Sequence, residues 1–101
     1  MEPIKTEWGE VVNLGQTKEF SCSLLRVMPG QKIPKHYHKR MREIEVVVGG
    51  EALVNGVKRS KDSCIVWETG QPHEYVNTAS QTLEVICLVW PPYDPADEIP
   101  V

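Results

Sequence analysis

The sequence predicts an all-β fold, a sandwich or barrel, on three observations. No stretch repeats its apolar residues at helical spacing; they alternate or come in short runs. Gly, Pro and Asn punctuate the chain about every ten residues, the spacing of turns between short strands. Val54-Asn55-Gly56-Val57 contains an Asn-Gly pair, which supplies the two positive-φ residues of a type I′ hairpin turn.

Taken in order, the expected strands are Glu10–Leu14, Phe20–Met28, Glu43–Val48, Ala52–Val54, Val57–Arg59, Ser63–Trp67, His73–Asn77 and Thr82–Val89. In the last of these, Leu83, Val85, Cys87 and Val89 share one face, and Ile86 and Leu88, followed by Trp90, the other, with Glu84 the only charge among them. A strand apolar on both faces is buried on both. That suits a barrel whose interior is filled and whose outside meets a second sheet or another subunit. After Trp90, Pro91-Pro92-Tyr93-Asp94-Pro95-Ala96-Asp97-Glu98 carries too many prolines for a central strand and is expected to lie over the barrel as a tail. With no linker, repeat or low-complexity tract, residues 1–101 are expected to form a single domain.

A domain of 101 residues buries only about 60 % of its unfolded surface or a little more, so a bound ion or partner subunit would add stability that matters. A net charge of -3 argues against nucleic acid as partner. The start, Met1 to Trp8, lacks the apolar stretch of a secretory signal, and Val85–Trp90 is too short to span a bilayer; a cytoplasmic protein with no membrane partner is expected. Cys22, Cys64 and Cys87 are odd in number and widely spaced, without a Cys-x-x-Cys pair, and read as small buried hydrophobes.

The chemistry concentrates in the three histidines, His36, His38 and His73. The first two are separated by one residue in what reads as a loop entering a strand, and extended geometry puts i and i+2 on one side. Glu43 heads the next strand and offers a hard oxygen ligand; His73 opens a separate strand. Two imidazoles, a carboxylate and a third imidazole form a set that suits one divalent transition metal ion, Fe, Mn, Ni, Co or Zn, with positions left for water or substrate. The competing reading of Glu43 is a surface ion pair with Arg40 or Arg42.

These residues carry a resemblance. Gly30-x5-His36-x-His38-x4-Glu43-x6-Gly50 resembles the first motif of the cupins at every defining position, and Gly70-x2-His73-x3-Asn77 is similar to the second. Glu68 stands where the family usually has proline and Asp62 where it usually has glycine. The motifs span about 30–50 and 62–77. A weaker resemblance, to the cupin domain of type II mannose-6-phosphate isomerases, rests on Glu7-Trp8-Gly9, Val46–Ala52, Gly70-Gln71-Pro72-His73 and Pro92-Tyr93-x3-Asp97-Glu98-Ile99, although the His38 to Glu43 spacing departs from it. The resemblance implies a double-stranded β-helix, or jelly-roll, barrel with the ion inside one end. It also implies a homodimer, for which Thr82–Trp90 and the apolar Trp8–Leu14 region would supply the surface.

Around the ligands, Glu45 shares strand parity with Glu43 and should also point inward, as the acid/base of an isomerase or lyase. A bulge could instead turn it outward, or Arg26 could neutralise it. Tyr75 and Asn77 share the face of His73; Tyr75 is the second candidate for proton transfer and Asn77 for substrate binding. The basic run Lys35–Arg42 straddles the ligands, so Arg40 and Arg42, with Arg26, are expected to favour a small anionic substrate. The leading function is a metal-dependent enzyme that isomerises a sugar or sugar phosphate or oxidises an organic acid. The alternative is a non-catalytic small-molecule binding or sensory cupin, which an apolar, sealed pocket would favour.

Overall fold

The computed structural model describes residues 2–101, and they fold as two antiparallel sheets that face each other. The strands are β1 (Ile4–Lys5), β2 (Gly9–Gln16), β3 (Ser21–Val27), β4 (Lys32–Tyr37), β5 (Arg42–Gly49), β6 (Glu51–Val54), β7 (Val57–Ser60), β8 (Cys64–Trp67), β9 (His73–Val76), β10 (Leu83–Trp90) and β11 (Ile99–Pro100). One sheet runs β1-β2-β3-β10-β5-β8 and the other β11-β4-β9-β6-β7. This is the double-stranded β-helix expected from the sequence.

The eight expected strands are present, each within one or two residues of its expected bounds. Asn55 and Gly56 take φ of 49° and 79° between β6 and β7, as the hairpin requires. Gly50 sits at φ 77°, where a Cβ would lie 2.8 Å from the Thr82 carbonyl oxygen, so the turn from β5 to β6 has no room for a side chain. Asp62 adopts φ 78° ahead of β8; Asp tolerates this region through its short polar side chain, so the turn survives without glycine. Glu68, in place of proline, takes a hydrogen bond from Arg42.

Two expectations need correction. The segment before His38 is a strand, β4, not a loop: its residues are mostly polar and Pro34 interrupts them, which hid it. Pro34 falls in a bulge, between Ile33 paired with Tyr75 and His36 paired with His73, where the missing N–H costs no ladder bond. The tail does lie against the barrel, but it ends in a short 3₁₀ helix, Pro95–Asp97, and in β11, which pairs Ile99 and Pro100 with Tyr37 and His36.

The core fills one end of the barrel. Val27, Val47, Ala52, Val54, Leu83 and Val85 pack there, each 3 % exposed or less. Outside the six-stranded sheet, Val12, Leu24, Ile86 and Val46 form one cross-strand row and Cys22, Leu88, Ile44 and Val66 the next. Trp8 and Val11 line the interior instead, so of the apolar residues of that region only Val12 and Leu14 are left to face outward. Of the cysteines, only Cys87 is buried; Cys64 is exposed on the outer face. No helix among the described residues is long and apolar enough to cross a membrane.

Candidate metal centre

Three neighbouring strands bring the histidines and Glu43 together. His36 lies near the end of β4, directly opposite His73, the first residue of β9, and His38 follows one residue beyond β4. Glu43 lies on β5 between Val89 and Trp67 and points into the barrel from the other sheet. One donor atom from each of the four lies within 4.8 Å of the others.

The orientation of each imidazole is fixed from behind. His36 Nδ1 donates to the Pro34 carbonyl at 2.7 Å, His38 Nδ1 to that of Asp97 at 2.7 Å, and His73 Nδ1 to that of Gln71 at 3.1 Å. A carbonyl only accepts, so each Nδ1 keeps its hydrogen and each Nε2 is left with a lone pair that could bind a metal ion. His38 Nε2 and His73 Nε2 approach Glu43 Oε1 to 2.6 and 3.0 Å, yet neither contact has hydrogen-bond geometry, and all three atoms are buried without partners among the described residues. Buried polar atoms left this way are costly. A cation about 2.1 Å from each donor requires them to lie within roughly 4.2 Å of one another, so shifts of a few tenths of an ångström complete the site. The donor set and its geometry therefore fit a divalent ion.

A proton competes for the same place. Burial works against charge on His38, but the Glu43 carboxylate and the Asp97 carbonyl outweigh it and raise its pKa to about 9. Burial likewise disfavours charge on Glu43, and contacts with His38 and His73 more than offset that, holding its carboxyl far below the usual range. Metal binding must displace the His38 proton.

Glu45 points inward, and the bulge of this region lies opposite Glu84 and Val85, clear of Glu43 and Glu45. Trp67 Nε1 donates to Glu45 Oε1 at 2.6 Å, and burial followed by the charge of Glu43 raises the Glu45 pKa to about 7. The Tyr75 hydroxyl is buried without a hydrogen-bond partner. Burial, and then the charge of Glu45, push that phenol well above its ordinary value.

Three supporting residues escaped the sequence reading. Trp67 stacks on His73 with ring centroids 4.7 Å apart while it holds Glu45. The Cys87 thiol donates to Glu43 Oε2 at 2.9 Å, leaving Oε1 to face the imidazoles. Asp97, 4 % exposed, accepts the backbone N–H groups of Lys39, Arg40 and Met41 on its carboxylate, and its carbonyl accepts from His38. Trp67 lies opposite Glu43, so strand parity was the available signal; Asp97 is remote in sequence and gave none.

The ligands, Glu45 and Tyr75 line a cavity of about 560 Å³. Arg26, Arg40, Arg42 and Asn77 do not line it, and their expected role in substrate binding is corrected accordingly. Arg26 lies on the outer face, where Glu10 and Glu84 hold it. Arg40 pairs with Asp94, and Arg42 with Glu68 beneath the ring of Trp90. Each arginine thus pairs with a carboxylate outside the cavity. Asn77 is fully buried and structural: its amide donates to the carbonyls of Val27 and Gln81 and accepts from Ala79 N.

A family model described as "Cupin domain" matches residues 23–89. No curated protein matches the chain. Among solved structures it is similar to a conserved Klebsiella pneumoniae protein with a double-stranded β-helix domain (23 % identity, 89 % of this chain and 77 % of that one, TM-score 0.73). It is also similar to KdgF from Halomonas sp. (24 % identity, 86 % and 82 % covered, TM-score 0.77). Lactobacillus farciminis oxalate decarboxylase matches at 18 % identity and TM-score 0.81 over 99 % of this chain but only 33 % of that one. At these identities the structures show a shared fold.

Proposed function

Since the chain belongs to the cupin domain family, we propose that its cavity is the active site of a metal-dependent enzyme that moves a proton on a small molecule, in an isomerase or lyase type of reaction. The observation that carries this reading is Glu45, a buried carboxylate beside the ligand cluster in the same cavity. The cavity is neither apolar throughout nor sealed, which favours turnover over passive binding.

His36, His38, Glu43 and His73 would hold the ion, which supplies Lewis-acid polarisation of a substrate oxygen. Glu45 takes a proton from the carbon adjacent to the polarised carbonyl group and returns it to a neighbouring atom of the resulting enolate. Trp67 keeps the carboxylate in place through its N–H, and Tyr75 closes the wall beside it. A carboxylate whose pKa sits near neutrality serves both halves of such a transfer.

The test is proton exchange. Protein loaded with Mn²⁺ or Co²⁺ is incubated in D₂O with a panel of aldoses, ketoses and 2-keto acids, and deuterium uptake is followed by NMR. Glu45→Gln should keep its metal and lower exchange by roughly 10²–10⁴-fold. Binding without exchange in the wild type would favour the sensory alternative.

We also propose that the homodimer uses the outer face of the six-stranded sheet. With the charged rows that flank them, the two apolar rows cover roughly 24 by 27 Å, or about 650 Å², approaching the roughly 800 Å² per partner of a stable interface. Leu88→Arg, in the middle of that face, should shift sedimentation from dimer to monomer; a wild-type monomer would refute it.

A further inference from the structure

The wall of the cavity across from the imidazoles is polar in a pattern that the metal site does not explain. On the inner face of the six-stranded sheet, Asn13 of β2 pairs with Ser23 of β3, Ser23 with Cys87 of β10, and Cys87 with Glu45 of β5. The next inward row reads Gln16, Ser21, Val89, Glu43. Gln16 reaches this face only because β2 carries a bulge between Asn13 and Gly15, which changes the alternation of side chains by one residue. The other neighbouring row, Val11, Leu25, Val85 and Val47, is apolar throughout.

Asn13, Gln16, Ser21 and Ser23 are uncharged hydrogen-bonding side chains with capacity to spare. Ser21 Oγ accepts from Tyr93 N and Asn13 Oδ1 from Gly15 N, which leaves the Ser21 hydroxyl hydrogen and the Asn13 amide hydrogens to donate. All four polar residues line the same cavity as the ligand cluster, with Trp8 presenting an aromatic surface beside them. Strands lie about 4.8 Å apart, so β3 and β2 stand roughly 10 and 14 Å from the Glu43 strand. A six-carbon molecule anchored at the cluster, met by these side chains, spans that gap.

The charge of the lining narrows the class. Besides its imidazoles the cavity has, among the described residues, a single basic side chain, Lys35, which is exposed, against the carboxylates of Glu43, Glu45 and Glu98. Among the described residues that line the cavity none is an arginine, which could grip a phosphate in a forked manner. We infer that Asn13, Gln16, Ser21 and Ser23 form a subsite for a non-phosphorylated, polyhydroxylated molecule of sugar size, neutral or bearing one carboxylate, held by its hydroxyl groups. This deepens the proposed function and rests on the metal centre, which anchors the other end of the molecule.

The experiment titrates Co²⁺-loaded protein with D-mannose, D-glucuronate and D-mannose 6-phosphate, reading heat and the visible Co²⁺ spectrum together. At least one unphosphorylated compound should bind about tenfold or more tightly than the phosphate. The double variant Asn13→Ala, Ser23→Ala should weaken that compound about tenfold, as the loss of two hydrogen bonds implies, with the Co²⁺ spectrum of the ligand-free protein unchanged. Tightest binding of the phosphate, or equal affinity in the variant, would overturn the subsite while leaving the metal reading intact, as would metal-loaded protein that ignores all three compounds. Protein that takes up no Co²⁺ would overturn both.

Discussion

The two ends of the barrel are built from the same strands and behave as opposites. Along β3 the inward residues run Val27, Leu25, Ser23, Ser21; along β10, Leu83, Val85, Cys87, Val89; along β5, Val47, Glu45, Glu43. At one end they are apolar and fully buried. At the other, apart from Val89, they are carboxylate, thiol and hydroxyl, joined by imidazoles from the facing sheet, with three candidate ligand atoms buried and unpartnered among the described residues. Strand alternation decides only which residues face inward; whether that row stabilises the fold or works against it depends on what the row meets. Burial of apolar area favours folding at the closed end, whereas the open end concentrates desolvated polar groups that an ion would satisfy.

The division can be broken from either side. The largest effect on stability is expected from Leu83→Ala at the closed end, which leaves a cavity and should cost about 2–5 kcal/mol in urea unfolding. The molecules that remain folded should keep their metal affinity. A parallel loss of affinity would show that the ends are not independent.

Asp97→Ala acts at the open end. It removes the carboxylate that orders three consecutive amides between His38 and Glu43, and it loosens the segment whose carbonyl orients His38. Metal affinity should fall by about 10–100-fold, with the circular dichroism of the sheets retained. Asp97→Asn keeps one acceptor oxygen and should recover part of the loss, which a purely structural defect would not do.

The smallest effect is expected outside both ends. Arg26 and Arg42 lie on the outer face, paired with carboxylates away from the cavity, so Arg26→Ala and Arg42→Ala should leave metal affinity nearly unchanged. A marked loss of metal from either variant would contradict the placement of these side chains away from the cavity.

How much was legible in the sequence follows from how local each signal is. The Asn55-Gly56 turn, the alternation of β10 and the inward parity of Glu45 with Glu43 depend on neighbouring residues, and the fold has them where they were expected. That His36, His38, Glu43 and His73 come together was readable because the first three share one short motif and His73 sits in a second one. What failed depended on distant partners. Arg26, Arg40 and Arg42 were given to the substrate because nothing nearby in the chain reveals Glu84, Asp94 and Glu68 as their partners. β4 stayed hidden because its outward residues meet water and the bulge at Pro34 breaks the alternation between its inward residues, Ile33 and His36. β11 is too short to carry a pattern at all.

The central claim is that this quartet holds a divalent ion, and the most direct measurement is thermal unfolding with and without metal, beside a direct count of metal per chain. The account predicts one ion per chain of wild type. At an ion concentration about 100 times the dissociation constant, linkage contributes about 2.7 kcal/mol. For a domain of this size that raises Tm by roughly 10–20 °C, reversibly on adding chelator. His73→Ala should bind little metal and show almost no shift. Wild-type protein that binds no Mn²⁺, Fe²⁺, Co²⁺, Ni²⁺ or Zn²⁺, and whose Tm responds to neither ion nor chelator, would contradict it.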